Sequence, residues 1–265
     1  MSIDVLAGPR STAWLARANP LSKLGAGLAL TIGLLLTVDW VSASVALLCE
    51  LALLPLAGLA PRVLLGRGWP ILAAALVGGY GSALLAPKTG AVLLEWGPLL
   101  LTEGSLQSGV AIALRGIAIA LPGVLLLAST DPTDLADALA QRLRLPHRFV
   151  LGALAAMRLV GLLVEEWQNL GMARRARGAG SSGGVLGRFR SSLGQAMALL
   201  VQAIRRASRL AVTMEAKGFG AGPRTWARRS EFSARDALVL LGGMVIIGAA
   251  LAAAVMSGTW NSAFS

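Results

Sequence analysis

Two predicted helices end in the same way, with a cationic residue between an Ala and a Gly. A Gly just past a helix is the usual stop signal, and Lys or Arg beside it favours the negative end of the helix dipole. Helix termination therefore explains each ending on its own. A matched pair also has the form of two cationic tips that could dock into acidic grooves on a partner protein. The two endings lie forty residues apart, at Ala176-Arg177-Gly178 and Ala216-Lys217-Gly218.

Two further charged residues, Glu50 and Arg115, lie inside long apolar stretches. A charge within a membrane is costly, so such residues are functional candidates by default. Glu50 could pair with Arg115 in the interior. Alternatively, Arg115 could approach an interface and extend its charged end toward water. The sequence leaves an ion-pathway role and a structural role open for both residues.

The motifs of the common catalytic sites are absent. There is no Gly-x-x-x-x-Gly-Lys-Ser/Thr phosphate loop, no His-Glu-x-x-His and no Gly-x-Ser-x-Gly. The single Cys49 allows no intrachain disulfide, and its apolar surroundings predict a small core residue. The single His147 cannot form a multi-histidine metal site and is predicted to be structural or on the surface. We therefore predict a chain without catalytic residues and without a metal site.

The composition is that of an integral membrane protein. Of the 265 residues, 55% are hydrophobic and only 14% are charged, and the mean hydropathy is +0.70. These values exclude intrinsic disorder and argue against a soluble enzyme. Five apolar stretches approach the length of about 20 residues that a membrane-spanning helix needs. They are Leu21–Val38, Val41–Ala60, Trp69–Ala86, Ser105–Ser129 and Ala237–Met256.

The loops and glycines suggest how these spans pack. Only Asp39 and Trp40 separate the first two spans, which predicts a tight helical hairpin. Several glycines permit close helix contacts, either within the chain or with a partner. They are Gly25, Gly27, Gly78, Gly79 and Gly81.

The positive charge predicts the orientation in the membrane. The net charge is +11, and 22 of the 24 Lys and Arg residues fall on one side of the five-span arrangement. Only Lys88 falls on the other side, and Arg115 lies within a span. Because basic residues collect on the cytoplasmic side, we predict an N-terminus inside and a C-terminus outside. The charge follows topology, so nucleic-acid binding needs no separate hypothesis.

The segment between the fourth and fifth spans is predicted to form three helices of its own. The first runs from Pro132 to about Leu143, with Asp131 before it and Asp134 in its first turn, as suits a helix start. The second runs from near Pro146 to about Arg177. The third runs from about Val185 to Lys217, and most of its apolar residues recur at three or four positions. The predicted fold is thus an all-α membrane protein of about five spans, divided into a membrane domain (1–129), a cytoplasmic helical domain (130–235) and a final span with its tail (236–265).

The chain resembles the transmembrane T component of energy-coupling factor transporters over nearly its whole length. That family carries two Ala-Arg-Gly signatures at the ends of cytoplasmic coupling helices. Here the first signature is complete, and Lys217 replaces the Arg of the second. The order and spacing of several further pieces carry the resemblance. They are Pro20-Leu21-Ser22-Lys23, Asp131-Pro132-Thr133-Asp134-Leu135, Arg158 with Glu165-Glu166, Met214-Glu215 before the second signature, and Arg224-Thr225.

The resemblance implies a scaffold in a bacterial or archaeal cytoplasmic membrane, not a catalyst. In this family the T component joins two ABC-type ATPases to a substrate-binding membrane protein, the S component, for vitamin or transition-metal uptake. The signature residues dock into the ATPases, and the coupling helices cross and present an apolar surface to the S component. ATP and magnesium belong to the ATPases, so no cofactor is expected in this chain. Arg158, Glu165, Glu166 and Glu215 are expected to support the docking residues. Lys217 keeps the charge but loses the two-pronged hydrogen bonding of Arg, so the second contact is expected to be weaker.

Two other functions remain open from the residues. The chain could be an autonomous transporter or channel, with Arg115 and Glu50 along its path and a basic regulatory domain. It could also be a membrane-anchored protein-binding module with no role in transport. The substrate cannot be deduced from the sequence, because in the T-component architecture the S component selects it.

Overall fold

The computed structural model describes residues 14–37, 39–58, 61–96, 99–178, 184–220, 222, 225–226 and 228–260. Arg224 of the family resemblance and the predicted span ends Val38 and Ala60 lie outside these ranges, so these predictions stay predictions. The described chain forms two compact units. We call residues 14–135 with 231–260 the membrane unit, and residues 136–230 the middle unit.

Within the described residues the chain is almost entirely helical. A short 3-10 turn at Leu15–Arg17 precedes the first helix, and two antiparallel strands interrupt the helices once. The elements in chain order are α1 (Pro20–Leu35), α2 (Trp40–Ala57), α3 (Pro61–Leu85), β1 (Val92–Trp96), β2 (Leu99–Thr102), α4 (Glu103–Ser129), α5 (Pro132–Gln141), α6 (His147–Ala176), α7 (Val185–Ala216) and α8 (Ala234–Met256).

Side-chain caps explain where the helices of the membrane unit begin. The Asn19 side chain accepts a hydrogen bond from the Leu21 amide at 3.0 Å, with Pro20 at the first helical position. Asp39 accepts one from the Ser42 amide at 2.7 Å and so starts α2. Reciprocal capping boxes open α4, at Thr102, and α8, at Ser233.

Three described helices are long and apolar enough to cross a membrane: residues Gly68–Leu85 of α3, the whole of α4 and the whole of α8. The other two predicted spans correspond to α1 and α2, which are apolar but shorter. A helix rises about 1.5 Å per residue, so the 16 residues of α1 cover less than the thickness of a bilayer core. The all-α membrane architecture is supported, whereas the count of five spans stays a prediction.

The core of the membrane unit corrects the predicted hairpin. α1 and α2 follow each other closely in sequence, but α4 and α8 each pack against both of them, and α1 and α2 share no extensive face. The reason is that both helices are apolar on several sides, so α1 and α2 can bury apolar surface against α4 and α8 instead of against each other. The buried cluster draws on four helices: Leu30, Leu34, Ala46, Ala118, Ile246 and Ala250. Cys49 packs against this cluster, as its apolar surroundings predict.

Small residues allow the closest helix contacts in this unit. A Cβ placed on Gly79 of α3 would lie 2.7 Å from the Gly109 carbonyl oxygen of α4, and one on Gly109 would lie equally close to Gly79. Gly25 meets Leu240 of α8. These glycines therefore serve internal packing. Added Cβ atoms at Gly78 and Gly81 would meet nothing within 4 Å, so these two serve no close contact among the described residues.

A buried polar cluster ties together the ends of three helices, α1, α4 and α8. Asp236 of α8 accepts hydrogen bonds from the Asn19 amide at 2.5 Å and from the Ser22 hydroxyl at 3.1 Å. The Lys23 ammonium donates to the Ser129 carbonyl at 3.1 Å, to the Ser129 hydroxyl at 3.3 Å and to Thr130 at 3.2 Å. Each buried charge is thus satisfied by several partners, as burial requires.

The strand pair β1–β2 is a feature that the sequence analysis missed. Its Cα register pairs Leu94 with Leu101 and Trp96 with Leu99. The available signal is the Gly-Pro dipeptide at positions 97 and 98 between two short apolar runs, which is typical of a turn.

The middle unit contains α6, α7 and most of α5. Near its chain ends, Ala136, Ala140 and Val150 form a small buried cluster against which Trp226 packs. The Gln141 side chain donates to the Arg228 carbonyl at 2.8 Å and accepts from the Ser230 amide at 3.0 Å. These contacts fasten the last residues of the unit to its first helix.

Candidate functional site

The first cationic ending closes α6 with a left-handed glycine. Arg177 follows the last helical residue with φ −86° and ψ 8°, and Gly178 then adopts φ +73°. The Gly178 amide donates to the Arg175 carbonyl at 3.0 Å, and the Arg177 amide donates to Ala173 at 3.2 Å. A positive φ is costly for any residue with a Cβ, so Gly is the residue that lets the chain turn away here.

The second ending repeats this geometry at the end of α7. Lys217 has φ −87° and ψ 9°, and Gly218 has φ +71°. The Gly218 amide donates to the Glu215 carbonyl at 2.9 Å, and the Phe219 amide donates to Met214 at 2.9 Å. This pair of bonds is the Schellman motif that ends many helices. Both signatures are therefore helix stops in local structure.

Both cations are also available for a partner. Arg177 and Lys217 are exposed, and neither side chain forms a hydrogen bond or ion pair among the described residues. Around Gly178 and Gly218 an added Cβ would meet nothing within 4 Å. Ala176 and Ala216 are exposed as well. Helix termination and docking are thus compatible, because the stop leaves the charge at an open helix end.

Polar contacts join α6 to α7 over part of their length. Arg206 of α7 forms an ion pair with Glu166 of α6, and the Gln195 side chain donates to the Trp167 carbonyl at 2.6 Å. The Arg174 guanidinium donates to the Ser191 carbonyl at 2.7 Å. All three contacts fall within residues 166–174 of α6 and 191–206 of α7. The two helices are therefore held together by charge-assisted and amide hydrogen bonds rather than by a wide apolar face.

Most of the apolar side chains of α7 lack a covering element. Gln195 and Leu199 are its buried residues among those described, whereas Phe189, Met197 and Ile204 are each more than half exposed. The exposed apolar residues recur at three or four positions, so they form one stripe, which we call the α7 stripe. Its members are Leu186, Phe189, Leu193, Met197, Leu200, Val201 and Ile204. A stripe of this size indicates an interaction surface.

The four predicted supporting residues differ in their surroundings. Arg158, Glu165 and Glu215 are exposed, and their side chains form no hydrogen bond or ion pair among the described residues. Glu166 is half-buried and pairs with Arg206. The sequence could not indicate this partner, because the two residues lie 40 positions apart on different helices.

Residues around the second ending form a pocket that the sequence analysis missed. The ring of Phe219 contacts His147 edge to face, with ring centroids 6.3 Å apart. The Arg148 guanidinium donates to the Gly220 carbonyl at 3.1 Å. A cavity of about 470 Å³ is lined by Lys217, Phe219 and His147, among others. The aromatic residue directly after Gly218 is the one available sequence signal. His147 is thus structural here, as its isolation in the sequence predicts.

The prediction that Glu50 could pair with Arg115 is wrong. The Arg115 guanidinium donates to the Leu35 carbonyl at 3.0 Å, at the last turn of α1. A cation at the carboxyl end of a helix gains from the dipole and satisfies a free carbonyl, which explains its choice of partner. Glu50 is buried, and neither carboxylate oxygen has a hydrogen-bond partner in the described part of the chain. Within that part, no group of three His, Cys, Asp or Glu side chains is placed to hold a metal ion.

Comparison with known proteins decides the family. The family described as "Cobalt transport protein" (CbiQ) matches residues 11–226. The chain belongs to this family. The match spans α1 to α7 and includes both cationic endings. The resemblance to the T component is confirmed by it and by the relatives below.

Several curated relatives carry the name "Energy-coupling factor transporter transmembrane protein EcfT". The protein from Bacillus selenitireducens is 28% identical over 251 residues, which cover 91% of this chain and 93% of the relative. The protein from Brevibacillus brevis is 29% identical over 184 residues, or 66% and 67% of the two chains. That from Bacillus subtilis is 30% identical over 177 residues, or 63% and 66%. The chain is accordingly a membrane subunit of a transporter and not an enzyme.

Proposed function

We propose that this T-component family member is the energy-coupling subunit of an ATP-driven importer. This subunit joins two ABC-type ATPases to a membrane-embedded S component. The assembled importer takes up a vitamin or a transition-metal ion. The name of the relatives, which contains the words "energy-coupling factor transporter", supports this role. ATP and magnesium are bound by the ATPases, and this chain holds no cofactor.

The matched endings of α6 and α7 are the observation that carries the proposal. One ATPase docks on Arg177 and the other on Lys217. Each cation lies directly before a left-handed glycine at the helix end, and it is exposed and unpaired among the described residues. A charge presented in this way can enter an acidic groove without first breaking an internal ion pair. Two equal presentations suit two ATPase subunits.

The contact between α6 and α7 supports transmission of movement. Two contacts, Glu166 with Arg206 and Trp167 with Gln195, link the C-terminal half of α6 to the middle of α7. Both contacts precede the cationic endings in the chain direction of each helix. If the ATPases approach each other, force applied at one end passes through these bonds to both helices. The α7 stripe is then the surface that meets the S component, because its apolar residues need a cover.

The distribution of charge supports the orientation of this assembly. The basic middle unit lies in the cytoplasm, where the ATPases find their nucleotide, and the residues after α8 lie outside the cell. The alternative of an autonomous carrier receives no support from the geometry. Arg115 is satisfied by a helix-end carbonyl and does not meet Glu50.

Co-purification tests the proposal directly. We would express the tagged chain with the ABC-type ATPases of the same genome, as wild type, as the Arg177→Glu/Lys217→Glu double variant and as Arg209→Glu. Arg209 is an exposed arginine of α7 away from both endings, so its variant is a charge-matched control. ATPases that accompany the wild type and the control, but not the double variant, are expected. Equal recovery with all three proteins would refute docking at the two endings.

A further inference from the structure

A largely aliphatic cavity of about 210 Å³ lies among α1, α2, α4 and α8 of the membrane unit. Its lining includes Ala26, Leu53, Leu126 and Ile246, together with the two charged residues Lys23 and Glu50. These residues place it toward the end of the unit at which α1 and α8 begin and α2 and α4 end. A cavity of about 150 Å³ is enough to bind benzene, so this one can hold a long side chain.

The carboxyl group of Glu50 is the unsatisfied polar group of this cavity. Glu50 is only 4% exposed, and both of its carboxylate oxygens lack a hydrogen-bond partner among the described residues. Lys23 does not fill this need, because its ammonium already donates to Ser129 and Thr130. Arg115 does not fill it either, because it donates to the Leu35 carbonyl.

An unpartnered buried carboxyl group weakens the fold of the isolated chain. Burying a polar group without a hydrogen bond costs free energy, and an aliphatic residue in the same apolar place would cost none. The presence of such a group within a membrane domain points to a partner that satisfies it in the assembled state. The missing partner needs one donor group, and a basic group suits a carboxylate best.

The depth of Glu50 separates a protein partner from a lipid. Glu50 lies seven residues before the end of α2 at Ala57, roughly 10 Å along the helix axis. Lipid head groups stay at the surface of the hydrocarbon core, whereas a membrane-spanning helix carries side chains at every depth. We propose that this cavity receives a Lys or Arg side chain from a membrane-spanning helix of a membrane-embedded partner protein. The inference rests on the proposed function, in which that partner is the S component.

Replacement of Glu50 tests the site through opposite effects on stability and on assembly. The four tagged proteins are the wild type, Glu50→Leu, Glu50→Gln and the exposed control Glu103→Gln. We would purify each one alone for thermal unfolding, and also after co-expression with the ATPases and the S-type protein of the same genome. For Glu50→Leu, a higher melting temperature of the chain alone is expected, together with at least about tenfold lower recovery of the S-type protein and unchanged ATPase recovery. Glu50→Gln should lose less, because its amide oxygen still accepts a hydrogen bond. Normal recovery of the S-type protein with Glu50→Leu would overturn the proposal.

Photo-crosslinking provides a second test that does not require the ATPases. A photoreactive residue at Leu53 lines the cavity, and one at Leu48, on the same helix but outside the cavity lining, is the control. We expect an adduct between position 53 and the tagged S-type protein that disappears with Glu50→Leu. It should also disappear when one particular Lys or Arg in the spans of that protein is replaced by Met. Adducts with lipid alone would overturn the proposal.

An intact adduct from a wild type that binds no ATPase would instead contradict the docking role of the two endings and leave the cavity site supported.

Discussion

The ends of α6 and α7 have the same backbone conformation but different cationic side chains. The φ and ψ angles of Arg177 and Lys217 agree within a few degrees, and the glycines that follow agree equally well. Because the backbone is the same, the difference between the endings lies in the cationic group. Arg offers a planar fork with several donors, whereas Lys offers a single strongly hydrated charge.

The surroundings of the second ending offset part of this difference. Phe219 and Gly220 are held by His147 and Arg148, and Lys217 borders the cavity that these residues help to line. Lys217 therefore presents a charge beside a shaped recess. We infer that the first ending depends mainly on hydrogen bonds from the guanidinium, and the second on charge and shape together. Four changes test this comparison.

The largest effect is expected from Arg177→Glu. Reversal of the charge removes the fork and adds repulsion from an acidic groove, which at a buried ion pair typically costs several kcal/mol. Recovery of the ATPases with the tagged chain should fall by about a hundredfold. The far-ultraviolet circular dichroism spectrum should stay unchanged, because the Arg177 side chain has no partner among the described residues. A loss of helical signal would mean that the residue stabilises the fold instead.

Lys217→Glu should reduce ATPase recovery less, by about tenfold. The recess beside position 217 remains after this change, so part of the contact survives. Recovery is measured in the same co-purification, with Arg209→Glu as the control. A loss equal to or greater than that of Arg177→Glu would contradict the inferred division between the endings.

Alanine at Gly178 and at Gly218 should act equally at the two endings. Each substitution places a Cβ in the left-handed region at a cost of about 1–2 kcal/mol, and neither meets a neighbour that would add a clash. Faster hydrogen exchange is expected in the last turn of the affected helix. Gly161→Ala is the matched control, because Gly161 lies within α6 with open space around it and alanine favours a helix interior. Unequal effects of the two substitutions would show that the backbones of the endings are not equivalent.

Lys217→Arg should have the smallest effect and the opposite sign. The fork restores a second hydrogen bond in the groove, so the complex should dissociate about two to five times more slowly. Surface plasmon resonance with the ATPase pair immobilised can measure this rate. Faster dissociation would mean that the recess is shaped for an ammonium group.

The sequence predicted α5, α6 and α7 well because the signals for their ends are local. Asp131, Pro132 and Asp134 mark the start of α5, and both glycine endings mark the stops of α6 and α7 to within one residue. These features depend on residues within one turn of each other. The cationic endings could likewise be found by inspection, since they combine a cap residue with a charge.

The failed predictions all concern which helices and which charged groups meet in the folded chain. α1 and α2 were expected to pack on each other, yet α8 lies against both, and nothing in the turn at Asp39 indicates this. Glu50 and Arg115 have opposite charges, but a free carbonyl at the end of α1 competes for the arginine. The partner of Glu166 and the polar cluster around Asp236 depend on the fold in the same way. Charge complementarity alone does not choose among several possible partners.

The polar cluster that joins Asp236 to Asn19 has a consequence for synthesis of the protein. The two residues lie 217 positions apart, so Asn19 and Ser22 are synthesised long before their partner. Contacts of such high sequence separation form late, whereas the helices of the middle unit can form while translation continues. The close contact between Gly33 of α1 and Ile247 of α8 also forms only after α8 has been synthesised. The last helix therefore completes the membrane unit, and a nascent chain stopped before Ala234 should be recognised and degraded as unfinished.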